Sequence, residues 1–158
     1  MGAFFTNVQV RTGNQSPDAV RATLIAVLRR RLLLRGQFVE ITDDAEADRE
    51  VLIGPAGPGP WIAVYDEATE DQDERVLLAL TKALSRAAGG AAVGVLVCDS
   101  DVLELRLCWA GAQVDIFNSR PDYDGQMPSA HRRRQLAGDP ERWRDLLVGG
   151  STPDDLHR

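Results

Sequence analysis

The residues able to do chemistry gather where the chain turns. Acids cluster at Asp66 and Glu67, at Glu70 to Glu74, at Asp99 and Asp101, and at Asp122 and Asp124, with Tyr123 between the last two. Such oxygens suit a hard cation such as calcium. No stretch, however, has the Asp-x-Asp-x-Asp-Gly order with a glutamate at the twelfth position, and acids in turns ordinarily cap the backbone. No metal site and no cofactor are expected. Cys98, beside Asp99, is the one candidate nucleophile, but its neighbours Asp99, Asp101 and Glu104 would raise a thiol pKa and not activate it. His131 and His157 have no cysteine pair or acidic partner at ligand spacing. No catalytic residue is therefore assigned.

Basic residues form two clusters, Arg29 to Arg31 and His131 to Arg134. The first suits the C-terminal end of a helix dipole, and the second could grip an acidic partner or a phosphate. Gly54 to Pro60 is rich in glycine but lacks the lysine and the strand-to-helix context of a phosphate loop, so it reads as a linker. The residues left as weak ligand-binding candidates are Trp61, Tyr65, Asp99, Asp101, Asp122 and Tyr123. Trp61 and Tyr65 share strand parity and hence one sheet face.

The element that must position the central acids is Ala92 to Trp109. Its apolar residues Val93, Val95, Val97, Leu103, Leu105, Leu107 and Trp109 all occupy odd positions, the period of a strand buried on one face. Asp99-Ser100-Asp101 breaks the run as a hairpin turn would. A two-residue loop would set Val97 against Glu104. A three-residue or other odd-length loop keeps the apolar residues together, with Val97 opposite Leu105 and Val93 opposite Trp109. In that register Cys98 and Cys108 stand about 13 Å apart, too far for a disulfide, so two free thiols are expected.

Around this hairpin the pattern predicts a strand at Phe4 to Val10, a helix entered through Ser16-Pro17 and running to about Arg35, and strands at Phe38 to Ile41 and Val51 to Ile53. A strand at Trp61 to Tyr65 and a helix from about Asp73 to Ala88 follow, stopped by Gly89-Gly90. Shifting the chain on itself by 56 positions superposes Val8 on Val64, Leu24 on Leu80, Leu28 on Leu84, Val39 on Val95 and Asp43 on Asp99. The expected fold is therefore α+β: duplicated β-α-β-β units, 4–54 and 60–110, in an antiparallel-rich sheet with helices mainly on one face. An extra strand at 113–118 completes a domain of residues 1–128, and 129–158 forms a helical tail. At the level of architecture alone this order resembles the drug-binding regulatory domains of the gyrase-inhibitor-like sort and the paired modules of the glyoxalase class. The motifs of neither are present, so the resemblance carries no function.

The chain has 158 residues, 44% of them hydrophobic and 27% charged, within the range of a globular protein. A net charge of −6 argues against nucleic acid or an anionic membrane as partner for the molecule as a whole. There is neither a signal-peptide pattern at the start nor an apolar run long enough to span a bilayer, so a cytoplasmic location is expected. Lys82, the single lysine among many arginines, suggests a bacterial source. Thr152-Pro153-Asp154-Asp155-Leu156 opens a helix within about a turn of the last residue, which suggests the front part of a longer polypeptide or a tail that folds on a partner. The functional expectation is a non-catalytic interaction or regulatory domain, binding a protein partner or its own copy. The alternatives are a small-molecule sensor with its ligand between the two repeats, and an enzyme using an acidic cleft.

Overall fold

The computed structural model describes residues 2–33, 49–55, 59–123 and 125–146. The fold is α+β. A six-stranded antiparallel sheet in the order β2-β3-β1-β4-β5-β6 carries its two long helices on one face. The strands are β1 (Phe5–Arg11), β2 (Val51–Ile53), β3 (Trp61–Asp66), β4 (Ala91–Cys98), β5 (Val102–Trp109) and β6 (Ala112–Asn118). The helices are α1 (Pro17–Leu33), α2 (Glu74–Ala88) and, in the C-terminal segment, the short α3 (Ala130–Leu136) and α4 (Pro140–Trp143).

Local chemistry sets the boundaries. Ser16 Oγ accepts from the Ala19 amide at 3.2 Å, with Pro17 at the first helical position of α1. Asp73 caps α2 through the Arg75 amide, and Gly89 ends it in the left-handed conformation, φ 66°. Ser129 and Asp139 cap α3 and α4. The β5–β6 turn is Ala110-Gly111, both at positive φ, as a tight two-residue hairpin requires.

The core lies between α1, α2 and the even-numbered face of the sheet. Val8, Val10, Ile62, Val64, Ala92 and Leu96 meet Val20, Leu24 and Leu28 from α1 and Leu77, Leu80, Leu84 and Ala88 from α2. This corrects the expectation that the odd-numbered valines and leucines of the hairpin face the main core. The odd face carries a smaller cluster, in which Ala91, Val93 and Leu107 lie under Trp143, with Trp61, Val95, Leu105, Val114 and Leu146 around them. The reversal follows from residue size. Gly94 and Ala92 let α2 approach β4 closely, whereas the larger odd side chains fill the thinner layer beneath α4.

The hairpin loop does have three residues, but they are 99–101. Cys98 pairs with Val102, and Val97, Val95 and Val93 stand opposite Leu103, Leu105 and Leu107. The expected pairs Val97–Leu105 and Val93–Trp109 are thus displaced by two residues along β5, a shift that preserves the face of every side chain. Leu96, not Cys98, is opposite Glu104, and Cys108 is opposite Ala92. The two thiols are free and stand about 20 Å apart along the strands.

Val8 stands directly opposite Val64, the pair that the 56-residue shift superposes. A two-fold axis through this pair carries β1 onto β3 residue for residue. Leu24 and Leu28 match the equally buried Leu80 and Leu84, but buried Val20 falls on Val76, which is 36% exposed. The correspondence does not extend to β2, which pairs directly with β3 through Val51–Asp66 and Leu52–Tyr65, whereas the shift would set it on β5. The linker that begins at Gly54 consequently joins two paired strands, with Gly54 N donating to Ala63 O at 2.8 Å. The expected strand at Phe38 to Ile41, Asp43, Asp124, His157 and the helix opening at Thr152 lie outside the described residues.

Candidate functional site

Three of the sequence candidates meet at the tip of the β4–β5 hairpin. Asp99 and Ser100 both adopt positive φ, 52° and 58°, and hydrogen bonds to the N-terminal residues hold them there. Asp99 Oδ1 accepts from the Gly2 amide at 3.0 Å, Ser100 Oγ from the Ala3 amide at 2.7 Å, and Ser100 N donates to Ala3 O at 3.1 Å. The other Asp99 oxygen accepts the Tyr123 hydroxyl at 3.2 Å. Arg120 lies 5.4 Å from the Tyr123 ring centroid and pairs with Asp101 at 3.3 Å. Asp122 is exposed in the adjoining turn.

The electrostatics of this cluster follow from its contacts. The Tyr123 phenol is pushed above its ordinary value by desolvation first, then by its hydrogen bond to Asp99 and by the negative charges of Asp99, Cys98 and Asp101. A phenol held protonated beside carboxylates that already accept hydrogen bonds is suited to tying a loop down, and it offers no base to a substrate.

Trp61 and Tyr65 share the odd face, as their parity requires, but four residues of strand put them about 13 Å apart. Trp61 packs in the cluster beneath Trp143. Tyr65 lies at the other end of β3, 44% exposed, and with Phe4, Phe5, Thr6, Asp66 and Glu70 it lines an open groove of about 310 Å³. Its floor is firmly built. Thr6 Oγ1 lies 2.9 Å from Thr69 O and 2.5 Å from Thr69 Oγ1, and Thr69 Oγ1 donates to Asp66 O. Asp66, 3% exposed, receives Arg49 through both carboxylate oxygens, at 2.8 and 2.5 Å, and also the Ala68 amide.

Sequence reasoning found Tyr65 and missed Phe4, Phe5 and Glu70. The available signal was two adjacent aromatic residues at the very start of a strand, where only one can point to each face. A second unforeseen cluster lies under α2. There Arg106, its side chain 8% exposed, pairs with Glu104 at 2.6 Å and with Glu74, while Asn118 Nδ2 donates to Glu104 Oε2 at 3.1 Å. The His131 to Arg134 cluster falls on α3, with its side chains exposed.

Among the described residues no group of three or more His, Cys, Asp or Glu side chains could hold a metal ion, and no helix is long and apolar enough to cross a membrane. Comparison with family models, curated proteins and solved structures found no match.

Proposed function

We propose that this chain is a non-catalytic interaction or regulatory domain whose partner surface is the corner of the sheet formed by Phe4, Phe5, Leu52 and Tyr65. The observation that carries the reading is their exposure: 57%, 43%, 64% and 44% on neighbouring chain segments, with Leu52 directly across from Tyr65. Large apolar side chains grouped at one corner are costly to hydrate and favour a partner. The acids of the hairpin tip support it from the other side, since Asp99 and Asp101 are engaged in holding the loop and the N-terminal residues. The reading extends to a protein partner or a second copy, in the cytoplasm of a bacterial cell, with no cofactor required.

A small-molecule sensor is the second reading, favoured by the groove itself, whose volume falls at the lower end of ligand sites. Its ligand would sit at this corner. The seam between β1 and β3 on the helix side is filled by Val8, Val10, Ile62 and Val64, all at most 1% exposed.

The deciding experiment places a photo-crosslinking amino acid at position 52 or 65, and at position 76 on α2 as a control, in cells producing the protein. A discrete adduct from 52 and 65 but not from 76 is expected. Equal labelling at all three positions would remove the reading.

A further inference from the structure

We infer that the groove at Phe4, Phe5 and Tyr65 receives the cationic side chains of a basic, apolar peptide segment, arginine above all. The inference rests on the reading of this corner as an interaction surface and adds the chemistry of its occupant.

Three aromatic rings line one groove with Asp66 and Glu70; the Asp66 carboxylate is buried and paired with Arg49, so the free charge at the groove is that of Glu70. Ring faces carry negative electrostatic potential, and a guanidinium stacks on them better than an ammonium does. The groove lies at the N-terminal end of β1, between two acidic turns. On one side the chain leaves β3 into Glu67, Glu70 and Asp71, all exposed. On the other the hairpin tip, with Asp99 and Asp101, is hydrogen-bonded to Gly2 and Ala3, immediately before Phe4.

The basic residues nearest these acids, Arg49 and Arg120, are already paired with Asp66 and Asp101. Glu70 is left at the lip with its carboxylate in solvent. An anionic or purely apolar ligand would meet repulsion or gain nothing from this field, whereas a guanidinium satisfies the rings and the Glu70 carboxylate together. Leu52, 64% exposed across from Tyr65, continues the surface beyond the reach of a single cation and supplies contact for apolar neighbours of the arginine. The occupant is therefore a peptide segment and not an isolated small cation.

The test is an amide chemical-shift titration of the full chain with a short peptide of alternating leucine and arginine. Parallel titrations use the same peptide with citrulline, a neutral analogue of matching shape, or with glutamate in place of arginine. The arginine peptide should shift the amides of Phe4, Phe5, Tyr65 and Glu70, and bind at least roughly fivefold more tightly than the citrulline peptide. Glu70→Lys and Tyr65→Ala, both exposed and therefore expected to fold, should each weaken it by a similar factor.

Equal binding of the arginine and citrulline peptides overturns the inference while leaving an interaction surface at this corner. Shifts confined to other surfaces, or none with any peptide, also overturn it. Crosslinking from positions 52 and 65 that persists in either case would show that the surface stands and only its cationic preference has failed.

Discussion

Glu104 and Arg106, two residues apart on β5 and hence facing the same way, form an ion pair at 2.6 Å on the helix-covered side of the sheet, each with a side chain no more than 8% exposed. Arg106 also reaches Glu74, the first residue of α2, and Glu104 accepts from Asn118 on β6. Asn118 Oδ1 in turn accepts the Arg120 amide at 2.9 Å, and Arg120 holds Asp101 at the hairpin tip. A continuous polar path therefore joins the start of α2 to the acidic loop.

Removing one partner of this pair leaves the other charge buried. Arg106→Met should lose about 3 kcal/mol in urea unfolding, because Glu104 is left without its guanidinium. Replacing both, Glu104→Leu with Arg106→Met, should recover most of that loss, since no buried charge then remains. A double variant as unstable as the single would mean that the pair itself, and not the stranded carboxylate, sets the cost.

At Gly94, β4 and α2 approach closely. A Cβ added there would lie 2.5 Å from Thr81 Oγ1 and 3.3 Å from Leu77 Cγ. Thr81 is fully buried and its hydroxyl donates to Leu77 O at 2.7 Å, so it has no room to retreat. Gly94→Ala should cost about 1–3 kcal/mol through overpacking. Combining it with Thr81→Ala should lose less than the sum of the two single changes by at least ~0.5 kcal/mol, measured as a double-mutant cycle. Strict additivity would show that the clash is relieved by movement of the helix.

The alternation of Val93 to Trp109 made the hairpin legible, and the parity argument gave its loop length. Parity says which residues share a face, and it cannot say which face the helices cover. That choice was decided by Gly94 and Ala92, small residues whose significance is visible only once α2 lies over them. The same limit hid Glu104 and Arg106. In sequence they are charges interleaved with leucines, which reads as a solvated face, and only Glu74 and Asn118, distant along the chain, make their burial tolerable. The hairpin tip was legible as a turn from its polar residues between two apolar runs, but its partners were not, because Asp99 and Ser100 accept from the amides of Gly2 and Ala3 at the far end of the chain. The groove was half legible: Tyr65 was singled out as an aromatic sharing one sheet face with Trp61, but its meeting with Phe4 and Phe5 depends on β1 lying next to β3.

At the hairpin tip the Tyr123 phenol is raised above its ordinary value by desolvation and by its bond to the Asp99 carboxylate. Asp99→Asn removes the charge while keeping an oxygen to accept the hydroxyl, so Tyr123 should titrate at lower pH than in the unaltered protein. The Tyr123 ¹³Cζ resonance followed through the alkaline range reports this directly. A midpoint that is unchanged, or moves upward, would show that Asp99 does not govern the phenol.

Cys108 gives the clearest pH dependence. It is fully buried opposite Ala92, and desolvation pushes its thiol from 9.0 up to about 11, against the weaker opposing pull of Lys82 and Arg106. The folded state therefore keeps a proton that the unfolded chain releases at lower pH. Its contribution to stability is intact below about pH 9 and is lost as pH rises from there toward 11, by ~2 kcal/mol at pH 10.5. Urea unfolding at pH 8 and at pH 10.5, compared between the protein and Cys108→Ala, isolates this dependence. The variant should start less stable, because a buried group has been truncated, yet lose less on going to the higher pH. Thiol labelling gives an independent check, because half-buried Cys98 should react first and Cys108 only at the rate at which the sheet opens. Parallel pH slopes for the two proteins, or labelling of both thiols at one rate, would contradict a protonated, inaccessible Cys108.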